Sequence, residues 1–199
     1  IISTYSMNSS PAYSVSPSVK IKYLIDDAPN REEFKAAIRA KNILGVLKQG
    51  FKAIKLLYLK TSLMAREIKV LNCDFVLSTR VEFAELLSKY APKDVTTITQ
   101  EHLHDDSPKY IKRCQKAFKG LDYLVVLCDG SERNLRKWLE GNKKLQIVKI
   151  PNILEQISKE NAKLSGLEMI SVGRLHPVKN FPELLRVFAR VLKELPNAK

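Results

Sequence analysis

Two cations, Arg174 and Lys179, stand five residues apart behind Gly173 in the run LEMISVGRLHPVKNFPELLRVFARVLKELPNAK. Arginine grips phosphate oxygens through a planar fork and lysine adds a point charge, so the pair suits a diphosphate. The alternative is a solvated loop pair with no ligand. A second group, Glu101, His102, His104, Asp105 and Asp106, gathers in the stretch QEHLHDDS. It has donor atoms for a metal, but no further histidine or cysteine supports it nearby, so no metal or other cofactor is expected. The third group is cationic: Arg39, Lys41, Lys48, Lys52, Lys55 and Lys60 run with almost no acidic residue among them.

The elements that position these groups follow from apolar spacing. Leu167 to Val172 is short and apolar, a strand stopped by Gly173, where the glycine lets backbone or ligand approach closely. Asn180 reads as an N-cap with Glu183 as its capping-box partner and Pro182 in the first turn. Leu184, Leu185, Phe188, Val191, Leu192 and Leu195 then recur at helical spacing until Pro196-Asn197. In an open α/β sheet, ligands sit beyond the carboxyl ends of the strands, facing the positive end of the next helix. A strand, a basic loop and a helix in that order place Arg174 and Lys179 at such a point.

The segment SVGRLHPVKNFPELLRVFARVLKELPNAK resembles the opening of the second domain of glycosyltransferase family 4, the group 1 retaining nucleotide-sugar transferases of GT-B fold. The glycine, the arginine, the lysine-asparagine pair and the helix phase all agree, and the likeness extends back through most of the chain. The resemblance implies that Gly173, Arg174 and Lys179 bind the donor diphosphate and that no metal is required. It also implies that His102 is a catalytic-cleft histidine near the transferred sugar, with His104 as the alternative register. The segment IVKIPNILE resembles the family's link between domains. Members hold the donor sugar and ribose with two glutamates further along than Lys199, and carry a glycine-rich loop after a first strand that is absent here. The chain is therefore expected to be a fragment, inactive alone, with residues 1–153 from the N-terminal acceptor-side domain, 154–166 a linker and 167–199 the start of the C-terminal domain. The implied parent enzyme transfers a sugar to a cell-surface polysaccharide, a lipid-linked acceptor or an anionic polymer. The reduced cysteines set the expectation of a cytoplasmic protein, and the charge that of one peripheral on the inner membrane face.

Composition bounds these readings. With 45% hydrophobic and 28% charged residues the chain is globular rather than disordered. Its net charge of +13 calls for an anionic partner: a membrane surface, a phosphorylated substrate or nucleic acid. Aromatics, at 8%, do not interleave with the basic runs, and no DNA- or RNA-binding motif is present, which argues against nucleic acid. A basic nucleic-acid module and a noncatalytic Rossmann-like interaction domain stand as the alternatives to an enzyme. No phosphate-binding P-loop, dinucleotide fingerprint, nucleophile elbow or zinc-protease helix occurs. Cys73, Cys114 and Cys128 form no ligand or redox motif and read as reduced core thiols. No apolar run is long enough to cross a bilayer.

Taken in order, residues 1–19 are rich in serine and proline and read as extended or loop. Lys20–Ile25 reads as a strand. From Glu32 to about Leu71 the pattern is two helices, with Ile43, Leu47, Ile54 and Leu57 on one face beside Phe51 and Tyr58. That face packs on the sheet, or the helix lies on an anionic membrane through Arg39, Lys41, Lys48, Lys52 and Lys55, or both hold at once, with the stripe packed inward and the cations on the headgroups. Alternation of strands and helices follows: strands at Cys73–Ser78, Val95–Thr99, Leu121–Cys128 and Leu145–Ile150, helices at Val81–Tyr90, Pro108–Phe118 and Ser131–Leu139. This is the signature of an α/β, Rossmann-like parallel sheet with helices on both faces. A lone strand and helix at 167–195 would have no sheet neighbour, so they are expected to pack on the first domain or on a partner chain in a dimer.

Overall fold

A computed structural model of the chain describes residues 1–6, 11, 13–102, 105–154 and 166–199. Two compact units are present, Ile1–Asn152 and Ile153–Lys199. The first holds β1 (Ile2–Tyr5), β2 (Lys22–Ile25), α1 (Arg31–Arg39), α2 (Ile43–Lys69), β3 (Phe75–Ser78), α3 (Val81–Tyr90), β4 (Thr96–Glu101), α4 (Pro108–Ala117), β5 (Tyr123–Val126), α5 (Asp129–Trp138) and β6 (Gln146–Lys149). The second holds a 3-10 turn, Pro177–Lys179, and α6 (Phe181–Glu194). His104 and nearly all of the expected linker lie outside the described residues.

Every strand pairing is parallel: β1 beside β2, and β3-β4-β5-β6 in sequential order. Parallel sheets flanked by helices make this an α/β, Rossmann-like fold. The register puts Val76, Leu124, Val126 and Ile147 on one face of the four-stranded sheet. There they meet apolar stripes from the helices: Val81, Ala84 and Leu87 of α3, Tyr110, Cys114 and Ala117 of α4, and Leu135 of α5. The stripes recur at three- and four-residue steps, which keeps them on one side of each helix. Phe118, Leu121, Leu124 and Val126 are fully enclosed. Val125, on the opposite face, is buried as well, but its face-mates Phe75, Leu77 and Val148 are exposed. Described residues thus form no helical layer over that face.

The β4 sequence TTITQE turns a polar row into the core, and each member has a partner. Thr97 donates to Asp122 Oδ2 through its amide at 2.8 Å and its hydroxyl at 2.7 Å. Ser78 Oγ donates to Thr99 Oγ1 at 2.9 Å, and Tyr110 Oη to Glu101 Oε2 at 2.6 Å. Among the described residues no buried side-chain polar atom lacks a partner, as a folded interior requires.

Several expectations are corrected. Ile2–Tyr5 is a strand, not loop, because the alternating ISTY segment finds a parallel partner in β2, Ile2 opposite Lys22 and Tyr5 opposite Ile25. The apolar side of α2 carrying Ile43, Leu47, Phe51, Ile54, Leu57 and Tyr58 does not pack on the sheet; the helix buries Leu56, Met64 and Ile68 instead. Cys73 and Cys128 are exposed and only Cys114 is a core thiol, since the first two lie where the chain enters β3 and leaves β5. In the second unit Leu167–Val172 forms no ladder; a strand needs a neighbour for its amides, and among the described residues none is present. Among the described residues the segment is held at its start, where Met169 N donates to Lys199 O at 2.6 Å and Lys199 N to Leu167 O at 2.9 Å. Ile170 and Val172 beyond it are exposed.

Candidate functional site

The strands β3, β4 and β5 run parallel, so their carboxyl ends share one edge, and the helices that follow begin there. His102 is the first residue past β4 and is exposed. Its two neighbours in the sequence cluster have structural partners. Glu101 is buried under Tyr110, and Asp105 Oδ1 accepts the Ser107 amide at 2.8 Å. Ser107 in turn caps α4, accepting from Tyr110 N at 3.3 Å, with Pro108 in the first turn. This cap fixes the far end of the loop that carries His102. Burial and the Glu101 carboxylate push the Tyr110 phenol well above its ordinary pKa, so it remains a donor to Glu101. Among the described residues no group of three or more His, Cys, Asp or Glu is arranged to hold a metal ion.

The same edge holds two side chains that residue spacing does not reveal. Arg80 is the exposed N-cap residue of α3, and Cys128 is the exposed N-cap residue of α5. Hydrogen bonds from Ser131, hydroxyl first and amide second, lower the Cys128 thiol pKa. Arg80 carries a weak signal, a cation directly between a strand and a helix in LSTRVEF. Cys128 is hidden by its place at the end of the apolar run LDYLVVLC.

In the second unit the loop around Gly173 is tightly folded. His176 N donates to Arg174 O at 2.8 Å, Lys179 N to His176 O at 2.8 Å, and His176 Nδ1 accepts from Val178 N at 3.3 Å. The turn ends at Asn180, whose φ of 48° is left-handed, a conformation asparagine tolerates better than most residues. That turn lays the Lys179 stem on Gly173: a Cβ built on the glycine would meet Lys179 Cγ at 3.5 Å and Phe181 Cζ at 3.4 Å. Lys179 therefore stands beside Gly173, the residue that precedes Arg174. Gly173 itself needs no positive φ, so its use here is the close seat it gives the lysine stem.

The expected capping box is not formed. Asn180 makes no side-chain cap, and Glu183 pairs with Arg186 at 2.9 Å. A left-handed Asn180 aims its side chain away from the amides of the first turn. Its carbonyl instead takes the amides of Glu183 and Leu184, at 3.1 and 3.2 Å, and Pro182 has no amide to offer. Of the first-turn amides only that of Phe181 remains, and the cationic side chains of the loop are Arg174 and Lys179.

The basic residues lie in the first unit. Arg39 ends α1, Lys41 sits in the turn before α2 with φ 52°, and Lys48, Lys52 and Lys55 lie along α2. Asn42 caps α2 by accepting from Gly45 N at 2.9 Å. Lys52 reaches Asp27, just past β2, at 2.9 Å. Lys48, Lys52 and Lys55, with Ile25, Asp27 and Phe51, line a cleft of about 560 Å³. No described helix is long and apolar enough to cross a membrane.

No family model matches the chain, and no solved structure matches it. Among curated proteins it is similar to an exopolysaccharide phosphotransferase of Streptomyces coelicolor, 24% identical over 218 aligned residues. That alignment takes in 98% of this chain and 22% of the relative, so the chain spans about a fifth of the length of the curated protein it matches.

Proposed function

We propose that the protein is part of a transferase of extracellular polysaccharide assembly, and that its Gly173–Lys179 loop binds the diphosphate of a nucleotide-sugar donor. One observation carries the reading: the Lys179 stem is seated on Gly173, next in the chain to Arg174. The name of the Streptomyces relative supports a polysaccharide-directed transferase. In the retaining glycosyltransferase reading, the bond between the anomeric carbon and the β-phosphate oxygen breaks. The sugar passes to an acceptor hydroxyl, and the nucleoside diphosphate leaves. Arg174 and Lys179 act where charge builds on that leaving group, and preorganised cations lower the barrier there. His102, at the carboxyl edge of β4, faces the acceptor side. The acceptor is a surface polysaccharide or its lipid-linked precursor, reached from the cytoplasmic face of the membrane.

The relative's name favours a second reading, transfer of a sugar phosphate. There the bond broken joins the two phosphorus atoms through their bridging oxygen, and a nucleoside monophosphate leaves. Product analysis separates the two: released nucleoside diphosphate supports glycosyl transfer, and released monophosphate supports phosphotransfer. Donor binding tests the loop under either reading. Removing one charge-assisted hydrogen bond to a phosphate costs about 1.5–3 kcal/mol, so Arg174→Ala and Lys179→Ala should each weaken nucleoside-diphosphate binding about tenfold or more. Unchanged binding in both variants removes the loop from the site and leaves the noncatalytic interaction domain.

A further inference from the structure

The longest helix among the described residues carries an uncovered apolar face. α2 runs 27 residues, and Leu44, Leu47, Phe51, Ile54 and Tyr58 follow one another along it at alternating three- and four-residue steps. Side chains so spaced stand in a single row. All five are between 65% and 80% exposed. A continuous row of large apolar groups in water, unlike scattered single ones, marks an interaction surface.

Charge selects the occupant. Lys48 and Lys55 each lie four residues beyond a member of the row, Leu44 and Phe51, and so flank it, with Lys52 between them. No acidic residue occurs between Glu33 and Glu67, so nothing on the helix offsets these cations along the row. Of the neighbouring elements, only Asp27 past β2 answers them, through Lys52; Lys48 and Lys55 make no ion pair among the described residues. A second copy meeting this face would bring the two lysine sets along one seam, where like charges oppose. A nucleic-acid backbone would take the cations and leave the apolar row in water. An anionic bilayer satisfies both halves at once.

We propose that this face of α2 docks on an anionic lipid bilayer. The row from Leu44 to Tyr58 enters the boundary between headgroups and acyl chains, and Lys48, Lys52 and Lys55 take the headgroup phosphates. A cleft of about 560 Å³, lined by Ile25, Asp27, Phe51 and those lysines, adjoins the row. Proximity to such a surface would also place the enzyme beside a lipid-linked acceptor, but the docking itself does not rest on the donor reading.

The test is vesicle flotation of the 199-residue chain without nucleotide, using phosphatidylcholine alone and phosphatidylcholine with phosphatidylglycerol. Binding should require the anionic lipid and weaken with salt. A Lys48→Ala/Lys55→Ala double variant should bind about thirtyfold more weakly, roughly fivefold for each cation. Leu47→Glu/Phe51→Glu should abolish binding while circular dichroism stays native, since both positions are exposed. The proposal is overturned if the native chain ignores anionic vesicles, or if both variants float as the native chain does. It is also overturned if sedimentation shows a dimer that Leu47→Glu/Phe51→Glu dissolves, or if polyuridylate binds and only the lysine variant loses it.

Discussion

Asp122 is the carboxylate on which the pairing of β4 with β5 turns, and it supplies a measurable pH dependence. Burial pushes its pKa up, but the Thr97 amide at 2.8 Å, the Thr97 hydroxyl at 2.7 Å and Lys144 Nζ at 3.0 Å outweigh that and hold it below its ordinary 3.8. Thr97 is only 4% exposed, so its amide and hydroxyl cannot turn to water if the acceptor goes. Hydrogen bonds to a charged acceptor contribute about 1.5–3 kcal/mol each, and a buried donor left alone costs about 1–3 kcal/mol. The Lys144 pair is more than half exposed on the lysine side and adds little. Asp122→Ala should therefore lose about 3 kcal/mol at pH 7, and Asp122→Asn, which keeps one acceptor oxygen, about half of that. The sign follows from the depressed pKa: the native state binds fewer protons than the unfolded chain, whose aspartates titrate near about 3.9. The contribution is thus complete above that value and is lost as pH falls through the lower, folded pKa. Urea unfolding of native and Asp122→Asn chains from pH 7 to about pH 3 should show the gap between them narrowing at the acid end. A gap of the same size across the range, or no gap at pH 7, refutes the assignment.

Two further perturbations test the packing and the sheet edge. At Gly120 a Cβ would lie 2.6 Å from the Ser88 carbonyl oxygen and 2.7 Å from its Oγ, so Gly120→Ala should cost about 1–3 kcal/mol in unfolding free energy by forcing the α3 terminus aside; an unshifted denaturation midpoint would show that the two segments yield freely. The cysteines should divide by environment. Burial raises the Cys114 thiol to about 11, whereas Cys128 is exposed and lowered by Ser131. Mild alkylation at neutral pH followed by mass mapping should mark Cys128 and exposed Cys73 while sparing Cys114, and Ser131→Ala should slow the Cys128 reaction.

Much of the first unit was legible because its signals are local. The Ser107-Pro108 start of α4 and the two-helix reading of 32–71 depend on residues a few positions apart, and the elements from β2 to β6 stand within a few residues of their expected places. What the sequence concealed depends on distant partners. Ile2–Tyr5 is a strand only because β2 lies beside it, twenty residues away in register. Leu167–Val172 has the composition of a strand, yet composition cannot supply a neighbouring ladder. Asn180 and Glu183 have the spacing of a capping box, but the preceding 3-10 turn drives Asn180 to φ 48° and sends Glu183 to Arg186.

The α2 helix shows most clearly why an amphipathic pattern cannot name its own partner. Two apolar rows wind along it, and only the one from Ile43 to Tyr58 was read from the sequence. The row of Leu56, Met64 and Ile68 is buried, which leaves the row from Leu44 to Tyr58 to be explained by something else. Ordinarily an apolar helix face left open costs solubility, and acidic and basic side chains interleave around it to limit association. Here only cations flank it, an arrangement that repels a second copy of the same surface and attracts a negative one. The cations and the apolar groups of one sequence segment become in the fold two adjacent strips of a single surface.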